Sequence, residues 1–124
     1  MNILAIDYGK KRIGLAWMQA GLDIVLPFGV IETENWKLEI EKIVIEENID
    51  RIVVGYPLKV TGEDTDSTDA VVSFVSELKN LVSVPVETVD ERFTTAQAKQ
   101  MDGEASLDEK AAMLILQTYV DKRS

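Results

Sequence analysis

The chain has 124 residues, about the length of one ordinary domain, which leaves no room for a two-lobed enzyme. Its composition, 46% hydrophobic and 28% charged, is that of a folded soluble protein, but 13 Lys plus Arg against 22 Asp plus Glu give a net charge of −9, so any nucleic-acid contact must rest on a local basic patch or a bound metal. The absence of Cys excludes disulfides, thiolate zinc sites and cysteine nucleophiles; the absence of His excludes a Ser-His-Asp triad, imidazole ligands and the usual base near neutral pH.

The opening ILAID, residues 3–7, is apolar on both alternations, the pattern of a central strand covered on both faces. Asp7 ends it, residues 8–12 read as a turn with Gly9, Lys10, Lys11 and Arg12, and Ile13 to Met18 form a second strand, completing a hairpin. A third strand is expected over Ile24 to Thr33, bent at Pro27 to Gly29. This longest apolar stretch is interrupted and no basic start precedes a long apolar run, so the chain is expected to be cytoplasmic and free of membrane spans.

Asn35 is placed to cap a helix from Trp36 to about Glu47, with Trp36, Ile40, Ile43 and Val44 as its inward stripe. A strand follows at Arg51 to Gly55, then a loop with Pro57 and Gly62, a helix over Ala70 to Leu81 and a strand at Pro85 to Val89. Thr94 with Gln97 and Ser106 with Glu109 match the capping box and announce two more helices. The order predicts one α/β domain over residues 1–124: a mixed five-stranded sheet, meander first, with helices on both faces and active groups near strand ends.

Acids stand at three informative places. Asp7 follows an apolar strand, where a carboxylate is either a turn residue or a ligand. Asp90 and Glu91 lie at a strand end beside Arg92, and spacing does not choose between them. Asp108 sits in the first turn of a helix whose continuation, KAAMLILQTYV, is apolar nearly all round; the helix dipole alone also explains an acid there. Gly9 and Gly14 read as turn and packing glycines, because no Gly-rich loop runs into a helix.

Four ordered blocks carry a resemblance: ILAIDYGKKRIGLA at the start, GYPLKVTG at 55–62, DERFTT at 90–95 and DEKAAMLILQTYV at 108–120. Together they resemble the YqgF family of RNase H-like proteins, whose members are assigned to processing of pre-16S rRNA and to Holliday junction resolution. The resemblance implies an RNase H-like sheet and Asp7, Glu91 and Asp108 as catalytic, metal-holding acids. It also implies Mg²⁺- or Mn²⁺-dependent hydrolysis of a phosphodiester, chemistry that suits hard cations on oxygen ligands. Lys10, Lys11, Arg12 and Lys59 are the expected contacts to nucleic-acid phosphate, and Arg92 a structural arginine.

The favoured partner on this reading is precursor rRNA, with the ribosome as a further partner and branched DNA as the alternative; no heptad repeat or dimer stripe is visible, which favours a monomer. The connection QMDGEAS, residues 100–106, is acidic where members of that family often carry Lys and Arg, which predicts weak binding or reliance on Lys10, Lys11, Arg12 and a partner. Two rivals stand beside the nuclease. A sugar-kinase or actin-like protein also opens with a strand, Asp-x-Gly and a hairpin, but needs a second lobe. A binding module would keep the fold without the chemistry.

Overall fold

The protein's structure, a computed structural model, describes residues 1–57, 65–91 and 105–123, with backbone alone at Pro57, 65–68, Asp90, Glu91 and Arg123. In chain order come β1 (Ile3–Asp7), β2 (Arg12–Met18), β3 (Leu26–Glu32), a 3-10 turn (Thr33–Asn35), α1 (Trp36–Glu46), β4 (Arg51–Pro57), α2 (Thr65–Leu81), β5 (Val86–Glu91) and α3 (Leu107–Arg123). The strands form one sheet in the order β3-β2-β1-β4-β5. The meander pairs are antiparallel, while β1 with β4 and β4 with β5 are parallel.

The doubly apolar β1 lies at the centre of this sheet. Leu4 and Ile6 enter a core with Trp36 and Ile40 of α1 and Phe74 and Leu78 of α2, whereas Ile3 and Ala5 meet Ala112, Ile115 and Leu116 of α3 on the other face. Alternation along one strand thus divides the helices between two layers. Phe74 joins the first layer by ring contacts to Tyr8 and Trp36, both with centroids 4.6 Å apart.

Local signals held where they were complete in themselves. Glu109 N–H donates to Ser106 Oγ (3.2 Å) and Ser106 N–H donates to Glu109 Oε1 (3.1 Å), a reciprocal capping box at the start of α3. The expected bend in β3 is a bulge: Leu15 pairs with Gly29 and Ala16 with Pro27, and Gly29 takes φ +140°, a conformation that favours glycine.

Boundaries moved where long-range pairing decided them. The β4–β5 register continues through Tyr56↔Asp90 and Pro57↔Glu91, so Tyr56 and Pro57 extend the strand expected to end at Gly55, and β5 runs past Val89. α2 starts at Thr65 rather than Ala70, and β3 at Leu26 rather than Ile24. Asn35 makes no capping side-chain bond, because the 3-10 turn feeds straight into α1 and the Trp36 N–H already donates to the Thr33 carbonyl. The helix expected after Thr94 lies outside the described residues, and among those described no helix is long and apolar enough to cross a membrane.

Candidate active site

Asp7 is the last residue of β1, and its partner across the ladder is Gly14 of β2. The absent side chain at Gly14 is what admits α3. A Cβ there would collide with the backbone carbonyl of Asp108, so the first turn of the helix rests on the rung that holds Asp7. The chain's first strand and last described helix thereby bring two carboxylates together.

Their proximity is visible in their charge. Burial, and then the negative charge of Asp108, push the Asp7 carboxyl up to about 6 from its ordinary 3.8. Asp108 is more open, with its side chain 33% exposed, and its Oδ2 lies 3.2 Å from Arg12 Nε. With Arg12 69% exposed, that pair stabilises the fold little, but it holds a guanidinium at the rim of the site.

Lys10 and Lys11 are exposed on the hairpin turn immediately before Arg12. Two hydrogen bonds from Thr33 hold this turn: its Oγ1 donates to the Gly9 carbonyl (2.7 Å) and its N–H donates to the Lys11 carbonyl (3.0 Å). Gly9 closes the turn tightly, since a Cβ on it would meet the Arg12 carbonyl. Thr33 carries no motif, and only the folded meander makes it adjacent to the turn.

The two acids that spacing left open take opposite phases of the β4–β5 ladder. Glu87 and Val89 are paired with Val53 and Gly55, and Val53 and Val89 lie in the core under α3; position 91 follows in that phase, the phase of Asp7 when carried through Ala5. Position 90 falls in the opposite phase. The side chains of Asp90 and Glu91, together with Arg92, Lys59, Asp102 and Glu104, lie outside what is described, and among the described residues no three acids gather into a metal-sized group.

Asp7 and Asp108 fit a hard divalent cation: both are oxygen donors, both are half-buried, and their mutual repulsion is the kind a cation relieves. A strand-end carboxylate facing a helix-borne carboxylate, beside a cationic turn on a β3-β2-β1-β4-β5 sheet, defines an RNase H-like protein with an acidic site. T. thermophilus RuvC, in complex with a Holliday junction substrate, has this fold with TM-score 0.64 and 14% identity, over 97% of this chain and 93% of that one. The Fowlpox virus resolvase in its junction DNA complex gives TM-score 0.60 and 14% identity, over 99% of each chain.

The chain belongs to the RuvX family, the one that its sequence blocks resemble under the name YqgF; residues 1–122 match the family described as "RuvX: Holliday junction resolvase". Among its relatives, a "Putative pre-16S rRNA nuclease" of Dictyoglomus turgidum is 33% identical, over 100% of this chain and 96% of the relative. Proteins of the same description from Chloroflexus aurantiacus and Phocaeicola vulgatus are each 37% identical, over 98% of this chain and 87% and 96% of the relatives.

Proposed function

We propose that this protein is a metal-dependent nuclease that hydrolyses phosphodiester bonds in the 5′-end processing of precursor 16S rRNA. The observation that carries the reading is the meeting of Asp7 and Asp108 across Gly14, with Asp7 pushed up to about 6 by burial and by Asp108. The choice of RNA rests on the description shared by the curated relatives. The family's own description favours a second reading, cleavage of four-way DNA junctions.

In this mechanism Asp7 and Asp108 hold Mg²⁺ or Mn²⁺, and Glu91 is the third ligand, for which its register phase speaks. When bound, the ion supplies Lewis-acid polarisation of the phosphate and activation of the attacking water. Asp7 must lose its proton to act as a ligand, so loading is linked to pH around its raised pKa. Arg12, tethered at the rim by Asp108, positions the phosphate, while Lys10 and Lys11 hold flanking phosphates and Lys59 belongs to the same expected contact set.

The test is divalent-metal-dependent cleavage by purified protein of precursor rRNA 5′ leader, unstructured RNA, single-stranded DNA and a four-way DNA junction, with Asp7→Asn and Asp108→Asn as controls. Cleavage of the leader, lost in both variants, is expected. Preference for the junction shifts the reading to resolution. Folded protein that cuts none of the four speaks for a binding module.

A further inference from the structure

Helix α3 is apolar nearly all round: Ala111, Met113, Leu114 and Val120 accompany the fully buried Ala112, Ile115 and Leu116. Hydrophobic burial therefore specifies its rotation over the sheet only weakly, because turning the helix exchanges one apolar side chain for another. Two specific features supply what burial lacks. Near the N-terminus the Asp108 backbone sits in the hollow left by Gly14. Toward the other end, Tyr119 OH donates to Glu87 Oε2 (2.7 Å) and accepts from Arg51 Nη1 (3.0 Å), and Arg51 Nη1 also bonds Glu87 Oε2.

Asp108 and Tyr119 are in phase along the helix. With Ala112 and Ile115 between them they follow the spacing of one face, about three turns and about 16 Å apart and within about 20° of the same azimuth. Arg51 opens β4 and Glu87 lies near the start of β5, so the cluster ties this face of α3 to the end of the parallel strands opposite the acids. We propose that Arg51, Glu87 and Tyr119 are positioning residues for the acid pair: their hydrogen-bonded cluster sets the rotation and axial height of α3, and so the place of Asp108 relative to Asp7.

The lever is large enough to matter. A rotation of about 20° carries a carboxylate at the helix periphery by about 2 Å, comparable to the whole ligand distance of a Mg²⁺ ion. The cluster is also poorly optimised for stability alone, since the buried Arg51 Nε finds no hydrogen-bond partner among the described residues. The cluster is part-buried, with the Glu87 side chain 42% exposed, so its hydrogen bonds contribute geometry more than stability. The inference rests on Asp7 and Asp108 being metal ligands.

The experiment measures Mn²⁺ affinity by calorimetric titration, and kcat and KM on the cleaved substrate, for the unsubstituted chain, Tyr119→Phe, Glu87→Gln, Asp7→Asn and Ile40→Val. Ile40 is buried in the core on the opposite face of the sheet and reports plain destabilisation. Tyr119→Phe and Glu87→Gln are expected to weaken Mn²⁺ binding about 10-fold and lower kcat, with a smaller change in KM, because only Arg12 of the cationic turn is tethered to Asp108. Ile40→Val should lower Tm and leave Mn²⁺ affinity intact.

Unchanged Mn²⁺ affinity in Tyr119→Phe and Glu87→Gln, with Asp7→Asn still abolishing binding, overturns the positioning role and spares the ligand reading. Should Tyr119→Phe fail to fold, Glu87→Gln decides. Absence of Mn²⁺ binding that depends on Asp7 in the unsubstituted chain overturns both.

Discussion

An ionised Asp7 is costly whenever no cation accompanies it. The folded chain releases the Asp7 proton near pH 6, whereas an ordinary aspartate releases it near 3.8, so folding favours the protonated form. That advantage is complete below about pH 4 and is lost as pH rises through about 6, leaving a penalty of up to about 3 kcal/mol above it. In EDTA, Asp7→Asn should therefore unfold at higher urea than the unsubstituted chain at pH 8. The gap in unfolding free energy should open between about pH 4 and 6 and then stay level; a gap that does not vary with pH counts against the shift. Gly14→Ala has the opposite character. Its methyl must displace the start of α3, so an overpacking loss of about 1–3 kcal/mol is expected together with a weakened Mn²⁺-induced rise in Tm, both read by thermal melts. Asp7 and Asp108 were legible as a strand end and a helix start, and Gly14 as a packing glycine. Their meeting was implied only by the family resemblance, because no local pattern joins residues so distant in sequence.

Among the elements, the junction of α1 with β4 depends on a residue that no motif marks. Asn2 Nδ2 donates to the carbonyls of Glu47 (3.1 Å) and Asn48 (3.2 Å), its Oδ1 accepts from Ala20 N–H (2.8 Å), and its backbone N–H donates to Asp50 Oδ2 (2.7 Å). One side chain thus satisfies the end of a helix and the end of β2 at once. Asn2→Ala removes three of these bonds and should lower stability by about 1–2 kcal/mol in urea titration, with the slope unchanged. Asn48 stands just past the helix at φ +52°, a left-handed position, so Asn48→Gly should melt at or slightly above the parent Tm. The Ser106–Glu109 box was readable because all its partners lie within one turn. The ends of β4 and β5 were not, because pairing between distant strands extends them beyond their own propensities.

At the scale of the whole molecule, charge governs binding. A net of −9 repels nucleic acid, so on the proposed function attraction comes from Lys10, Lys11, Arg12 and Lys59 and from a cation at the acids. Four phosphate contacts, from Lys10, Lys11, Arg12 and Lys59, predict a shallow dependence of log K on log salt, with slope about −3 to −4, and Lys10→Ala with Lys11→Ala should flatten it by about 1–2. Fluorescence anisotropy across a salt series in Ca²⁺, which keeps the cation while slowing cleavage, reads this directly; a slope steeper than about −5 points to a larger basic surface. The succession of strands and the mixed character of the sheet were legible, since a doubly apolar opening strand, a meander and crossover helices mark them, whereas the lateral order β3-β2-β1-β4-β5 came from the pairing.

The seating of α3 on the β1–β2 rung also has a consequence in time. A nascent chain translated through β5 already holds every strand of the sheet, yet Asp7 then lacks its helix-borne partner. The acid pair comes into being only when the segment from Leu107 onward has left the ribosomal tunnel and docked. Until that docking, any chemistry that needs both carboxylates has one of them without its counterpart.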